Sequence, residues 1–218
     1  MKRVWSLIIL AFLLWTLMFS PWTAPHVPFW WTMAGSALTL TVLSLFAMRM
    51  ESTEEFKNPK DSNKPAPLYR RIIQECLLGI TIAIGLWCVF WVGNEVSQWI
   101  FPFARPQVNL IYGMKAGENP WVLILLLLFL IGPAEEIFWR GYVQRRFMMR
   151  YNANMGFIIT TACYTLVHIA SLNFMLIMSS LVCGVAWGGL YRFFPRHLPA
   201  IILSHALWDA AVFVWFPI

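Results

Sequence analysis

Apolar runs long enough to cross a bilayer recur seven times along this chain, at 4–20, 28–48, 72–93, 121–138, 154–172, 174–194 and 198–217. A backbone in hydrocarbon must satisfy its own N–H and C=O groups, so it spans either as helices or as a closed barrel. Runs of this length, without the alternation of a barrel strand, specify helices. With 60% hydrophobic residues and 12% charged residues, the 218-residue sequence lies outside the range of soluble domains. The reading is therefore an all-α polytopic membrane protein, one domain over 1–218, with a further amphipathic helix at the interface where the fourth run continues into Arg140, Arg145, Arg146 and Arg150.

The net charge of +6 does not point to nucleic acid, because the basic residues sit in short segments between apolar runs. Lys2 and Arg3, the polar stretch from Arg49 to Arg71, the cluster from Arg140 to Arg150, and Arg192 with Arg196 all fall on one side, against Arg105 and Lys115 on the other. Positive charge favours the cytoplasmic side, which puts the N-terminus there. Met1-Lys2-Arg3 before an apolar run also resembles a signal peptide, but Phe19-Ser20-Pro21-Trp22 offers no small-x-small cleavage site. The first run reads as an uncleaved span. Arg49–Arg71 reads as a polar loop and Glu95–Pro120 as an outer linker. Cys76, Cys88, Cys163 and Cys183 all lie in apolar segments without metal or redox spacing and read as small buried hydrophobes. Gly184, Gly188 and Gly189 read as a close helix contact.

Few polar groups lie deep in these runs. Glu135 and Glu136 follow an uncharged stretch from Trp121 to Ile131, His168 lies in the fifth run, and His205 and Asp209 lie in the seventh. A charged residue at the centre of a membrane helix costs about 2.5–3.5 kcal/mol on insertion scales, so such groups are functional candidates. Glu136 and Arg140 are four apart in the favourable order for a helical pair, which leaves Glu135 to face a cavity. Gly132-Pro133 just upstream interrupts the hydrogen-bond ladder and bends or loosens the helix. His205 and Asp209 share a helix face. A carboxylate with two imidazoles is the equipment of water activation: a base for the proton and donors for a developing oxyanion. Glu135, His168 and His205 are also a possible zinc set, two His and one Glu.

These residues resemble the CAAX-processing and bacteriocin-processing (CPBP, or Abi) intramembrane proteases. That family carries Glu-Glu-x-x-x-Arg, Phe-x-x-x-His and His-x-x-x-Asn/Asp on three successive membrane segments; here stand Glu135 to Arg140, Tyr164 to His168 and His205 to Asp209. The resemblance covers about 121–209, so that 121–218 forms the catalytic core and 1–120 a set of N-terminal helices without motifs. It implies a glutamate-dependent endopeptidase in which Glu135 activates water with His168, and His205 with Asp209 stabilises the oxyanion. Glu136, Arg140 and Tyr164 support them. No cofactor is implied, with zinc the alternative. Tyr164 replaces the family's Phe and adds a hydroxyl in need of a partner. An ionised Asp209 cannot donate to an oxyanion, so it is assigned to orienting His205.

The implied activity is hydrolysis of a peptide bond in a membrane-tethered protein or peptide: a CAAX-type tail, a leader or a C-terminal sorting tail. The expected location is a bacterial inner membrane. A non-catalytic immunity or scaffold protein is the alternative, and a proton-coupled transporter a third reading, since buried Glu and His also relay protons.

Overall fold

A computed structural model describes residues 1–51 and 67–218. Seven helices in it are long and apolar enough to cross a membrane, and the described residues contain no strand. In chain order the helices are α1 (Lys2–Phe19), α2 (Phe29–Glu51), α3 (Leu68–Ile100), α4 (Ala104–Gly113), α5 (Pro120–Arg150), α6 (Ala153–Leu166), α7 (Phe174–Phe193) and α8 (Leu198–Ala210). All but α4 are spanning helices, and α8 runs on into a looser turn, Ala211–Trp215. The protein is an integral, multi-pass membrane protein. Of the polar loop expected at Arg49–Arg71, residues 52–66 lie outside the described residues.

The helices alternate in direction, and cross-links at each end fix which termini lie together. At the basic end Trp5 packs on Phe147, Arg192 bonds Asn154, and the Glu75 carboxylate accepts from His197 Nδ1 and the Ala200 amide. At the opposite end Trp30 Nε1 donates to the Met114 carbonyl, and Asn173 Nδ2 donates to the Gln107 carbonyl. The α5 helix is the central rod, packed by α2, α6 and α8, while α3 lies along the outside of α8. Large apolar side chains such as Leu77, Ile84 and Phe129 are exposed on the perimeter, as lipid requires.

Four expectations are corrected. The segment after Phe138 is no separate surface helix: Phe138 through Gln144 are buried within α5, and only Arg145–Arg150 moves outward. The outer linker contains a ten-residue helix, α4, and the third span is longer than the apolar run, with 33 residues or about 50 Å at ~1.5 Å each. Cys76 and Cys88 face the perimeter and are exposed; Cys183 is buried.

The Gly132-Pro133 interruption is absorbed without breaking α5. The helix widens to i→i+5 hydrogen bonding at Leu127–Ile131 and again at Ile137–Gln144, on either side of Gly132–Glu136. The α2 side chain of Thr41 donates to the Ala134 carbonyl at 2.7 Å inside this region. The glycine has its own role. A Cβ at Gly132 would stand 2.9 Å from Ala206 Cα and 3.0 Å from Ala206 N, so α5 and α8 touch backbone to backbone there. Gly184 and Gly188 give α7 a similar approach to Thr161 of α6, as the glycine pattern predicts.

Gly132→Ala should therefore force α8 away and lower stability by about 1–3 kcal/mol, the usual cost of overpacking. Gly85→Ala, where nothing lies within 4 Å, should show no loss. Thermal unfolding midpoints of the two purified variants in detergent check this pair.

Candidate active site

The two glutamates divide as their helical positions require, about 100° apart around α5. Glu136 points into the α5–α8 contact and is fully buried. Its Oε1 accepts from Arg140 Nη1 at 2.7 Å and lies 2.7 Å from His205 Nδ1. Arg140, only 1% exposed, is held further by the ring of Tyr164, 4.7 Å below its guanidinium, and by the Cys183 carbonyl. Charges so placed persist only when paired and hydrogen-bonded. Glu136 thus joins two motifs that are 69 residues apart.

Glu135 lies on the other side. It is buried at 5% exposure, yet it forms no hydrogen bond or ion pair among the described residues, and it lines a cavity of about 460 Å³. His168, His205, Asp209 and Tyr164 line the same cavity. Glu135 is the sixteenth of 31 residues in α5, about 22 Å from either end at ~1.5 Å per residue. The carboxylate faces a space of ligand size with its lone pairs uncommitted.

His168 is placed differently from the helical position the sequence suggests. The α6 helix ends at Leu166, and His168 sits in the turn that follows, before the short 3₁₀ segment Ile169–Ser171. Its ring is fixed at both nitrogens. Trp15 Nε1 approaches Nε2 at 3.3 Å, and Nδ1 lies 2.9 Å from the Tyr164 carbonyl. An indole N–H can only donate, so Nε2 is the acceptor and Nδ1 carries the proton that goes to the carbonyl. Trp15 belongs to α1, and nothing near it in sequence marks this role. Only the α1 contact with the turn after α6 brings it there.

His205 stacks on Trp187 with ring centroids 3.9 Å apart, and the Trp187 indole is anchored by Ser204 Oγ at 3.0 Å. The carboxylate that hydrogen-bonds His205 is Glu136, not Asp209 as expected. Asp209 Oδ2 is 3.4 Å from Nε2, a loose ion-pair distance. That nitrogen faces the cavity. Tyr164 packs edge-on against Trp139 and His168, and its hydroxyl makes no hydrogen bond among the described residues. Of the two tryptophans beside the motifs, Trp208 lines the cavity and Trp139 is buried behind it. His197 is tied to Glu75 at the basic end, away from the site.

The zinc set does not fit these residues. His168 spends Nε2 on Trp15 and Nδ1 on a carbonyl, and His205 directs its nitrogens to Glu136 and Asp209. Among the described residues no group of three or more His, Cys, Asp or Glu is placed to hold a metal ion.

The bundle thus gathers a carboxylate, two imidazoles and a second acid around one cavity in its interior. A family model described as Type II CAAX prenyl endopeptidase Rce1-like matches residues 117–211, which contain all three motifs. The match bears out the resemblance drawn from those motifs, over somewhat less than half of the chain. No curated protein and no solved structure matches the chain.

Removing Arg140 should leave Glu136 buried with one donor fewer, at a cost of about 3–5 kcal/mol. Arg140→Met is expected to fall well below wild type in membrane abundance and unfolding temperature, while the exposed Arg105→Met should not; immunoblots and thermal scans in detergent compare them.

Proposed function

We propose that this protein is a glutamate-dependent intramembrane endopeptidase that needs no metal, with Glu135 as general base. The carrying observation is the contrast between adjacent acids: Glu136 is tied through Oε1 to Arg140 and His205, whereas Glu135 is buried, without a hydrogen bond or ion pair among the described residues, and turned to the cavity. Glu135 takes a proton from water as the water oxygen bonds to the scissile carbonyl carbon. The same carboxyl then returns that proton to the departing amine as the C–N bond breaks. His168, with both ring nitrogens committed to Trp15 and the Tyr164 carbonyl, forms a fixed wall of the cavity beside the water rather than bonding it.

His205 stabilises the oxyanion through the Nε2 side, with Nδ1 held by Glu136 so that the ring cannot turn. Asp209 flanks that imidazole, its Oδ2 3.4 Å from Nε2, and the free Tyr164 hydroxyl supplies a second donor where the family's Phe could not. The substrate is a protein or peptide tethered in the membrane, of the leader or sorting-tail kind, in a bacterial inner membrane with the N-terminus of this chain in the cytoplasm.

Glu135→Gln keeps the shape and removes the base, so cleavage should fall by a factor of about 10²–10⁴ with abundance unchanged. New protein termini mapped across the membranes of wild-type and Glu135→Gln cells read this out. A mutant that rescues a deletion phenotype with no change in termini would put the scaffold reading ahead.

Trp15→Phe retains the aromatic volume but loses the N–H that sets His168. It should slow cleavage by roughly tenfold, the lower range of a single positioning effect, while the thermal midpoint moves little. A large loss of stability instead would make Trp15 a packing residue.

A further inference from the structure

The cavity around Glu135 is one-sided. From the acids and imidazoles it extends to Phe101, Tyr112, Met114 and Phe174, all at the end of the bundle opposite the basic clusters. Among the described residues, none of its lining comes from the half that carries Trp5, Phe147 and Arg192. It also reaches the perimeter. Val89 on α3 and Met178 on α7 both line it, yet are 53% and 36% exposed on the lipid-facing surface.

The reason lies in the packing. The α3 helix rides on α8 and α7 rides on α6, and α4 joins α3 and α7 across their outer ends. Gln107 of α4 fastens this bridge, its carbonyl accepting from Asn173 and its Oε1 from the Met175 amide. Below α4 the wall is apolar and low. Gly93 presents no side chain, with nothing within 4 Å of where its Cβ would be. Among its few polar groups one acceptor is uncommitted: Asn94 Oδ1 is buried, lines the cavity through its residue and has no hydrogen-bond partner. A buried acceptor of this kind suits the backbone N–H of a bound, extended chain.

We propose that the site is reached sideways, between α3 and α7, from the non-cytoplasmic half of the bilayer. Its substrate is an exported protein or peptide whose apolar anchoring segment lies in that half. The proposal rests on the protease reading of Glu135 and on positive charge marking the cytoplasmic side. A lipidated tail hanging in the cytoplasm would meet the closed basic end.

Cysteine accessibility tests the opening independently of cleavage. Ser97 and Ser179 line the cavity, and their hydroxyls bond only to carbonyls of their own helices, Asn94 and Met175. In a chain whose four native cysteines are replaced by alanine, Ser97→Cys and Ser179→Cys would be exposed to a charged, membrane-impermeant thiosulfonate. Trp99→Cys, at an 83% exposed position of the outer end, and Tyr69→Cys, at a 59% exposed position of the basic end, serve as references.

In intact cells the two serine positions and residue 99 should react, and residue 69 should not; in inside-out vesicles the pattern should reverse. Reaction of the serine positions from the cytoplasmic side only, or from neither side, overturns the proposal. Termini that depend on Glu135 should fall in or just outside the outer half of membrane anchors. Such termini confined to cytoplasmic tails would also overturn it and leave the protease reading standing. Outside labelling with no Glu135-dependent termini would instead remove the protease reading, and with it the assigned substrate.

Discussion

The hydrogen bonds at Glu136 Oε1 hold this site in place. One oxygen receives both the Arg140 guanidinium and His205 Nδ1 at 2.7 Å, in the dry contact between α5 and α8. Removing a charged pair from water is costly, and lipid supplies no alternative partner for either helix. The two helices are thereby locked in register. Because the acids are neighbours in sequence, the same lock turns Glu135 to the opposite side, into the cavity. Helix geometry alone thus gives two identical side chains different surroundings, one paired in a dry contact and the other facing the cavity.

The close approach that makes this lock possible comes from backbone, not from side chains. Gly132 admits Ala206, and the widened turns around Pro133 let α5 continue to Arg150 without a sharp kink. In membranes small residues bring helices together because hydrocarbon gives no hydrophobic incentive to do so. Here the glycine sits one turn before the acid it positions. Packing and chemistry are consecutive in the chain.

The sequence displays most of this, for identifiable reasons. Span positions follow from apolar length, and the Glu136–Arg140 pair from i, i+4 spacing. Gly184 and Gly188 could be read as a helix contact because small residues in an apolar run have few other uses. What could not be read depends on contacts between distant segments. Trp15 meets His168 across 153 positions, Glu136 takes the role expected of Asp209, and Trp187 stacks on His205. One tryptophan among 13 carries no local mark of such a function. The helix α4 was hidden by its length, since a ten-residue stretch with Pro106 inside it reads as linker.

The bond from Trp15 to His168 ties the state of the site to the order in which the chain is made. The donor lies in α1, and the acceptor lies in the turn after α6, which is made later. His205, with its bond to Glu136, lies further on, in α8. A bundle in which α5 is in place before α8 therefore holds Glu135 in the bilayer without its full set of imidazoles. On the protease reading proposed above, such a partly assembled bundle is inactive, and docking of α8 completes the site.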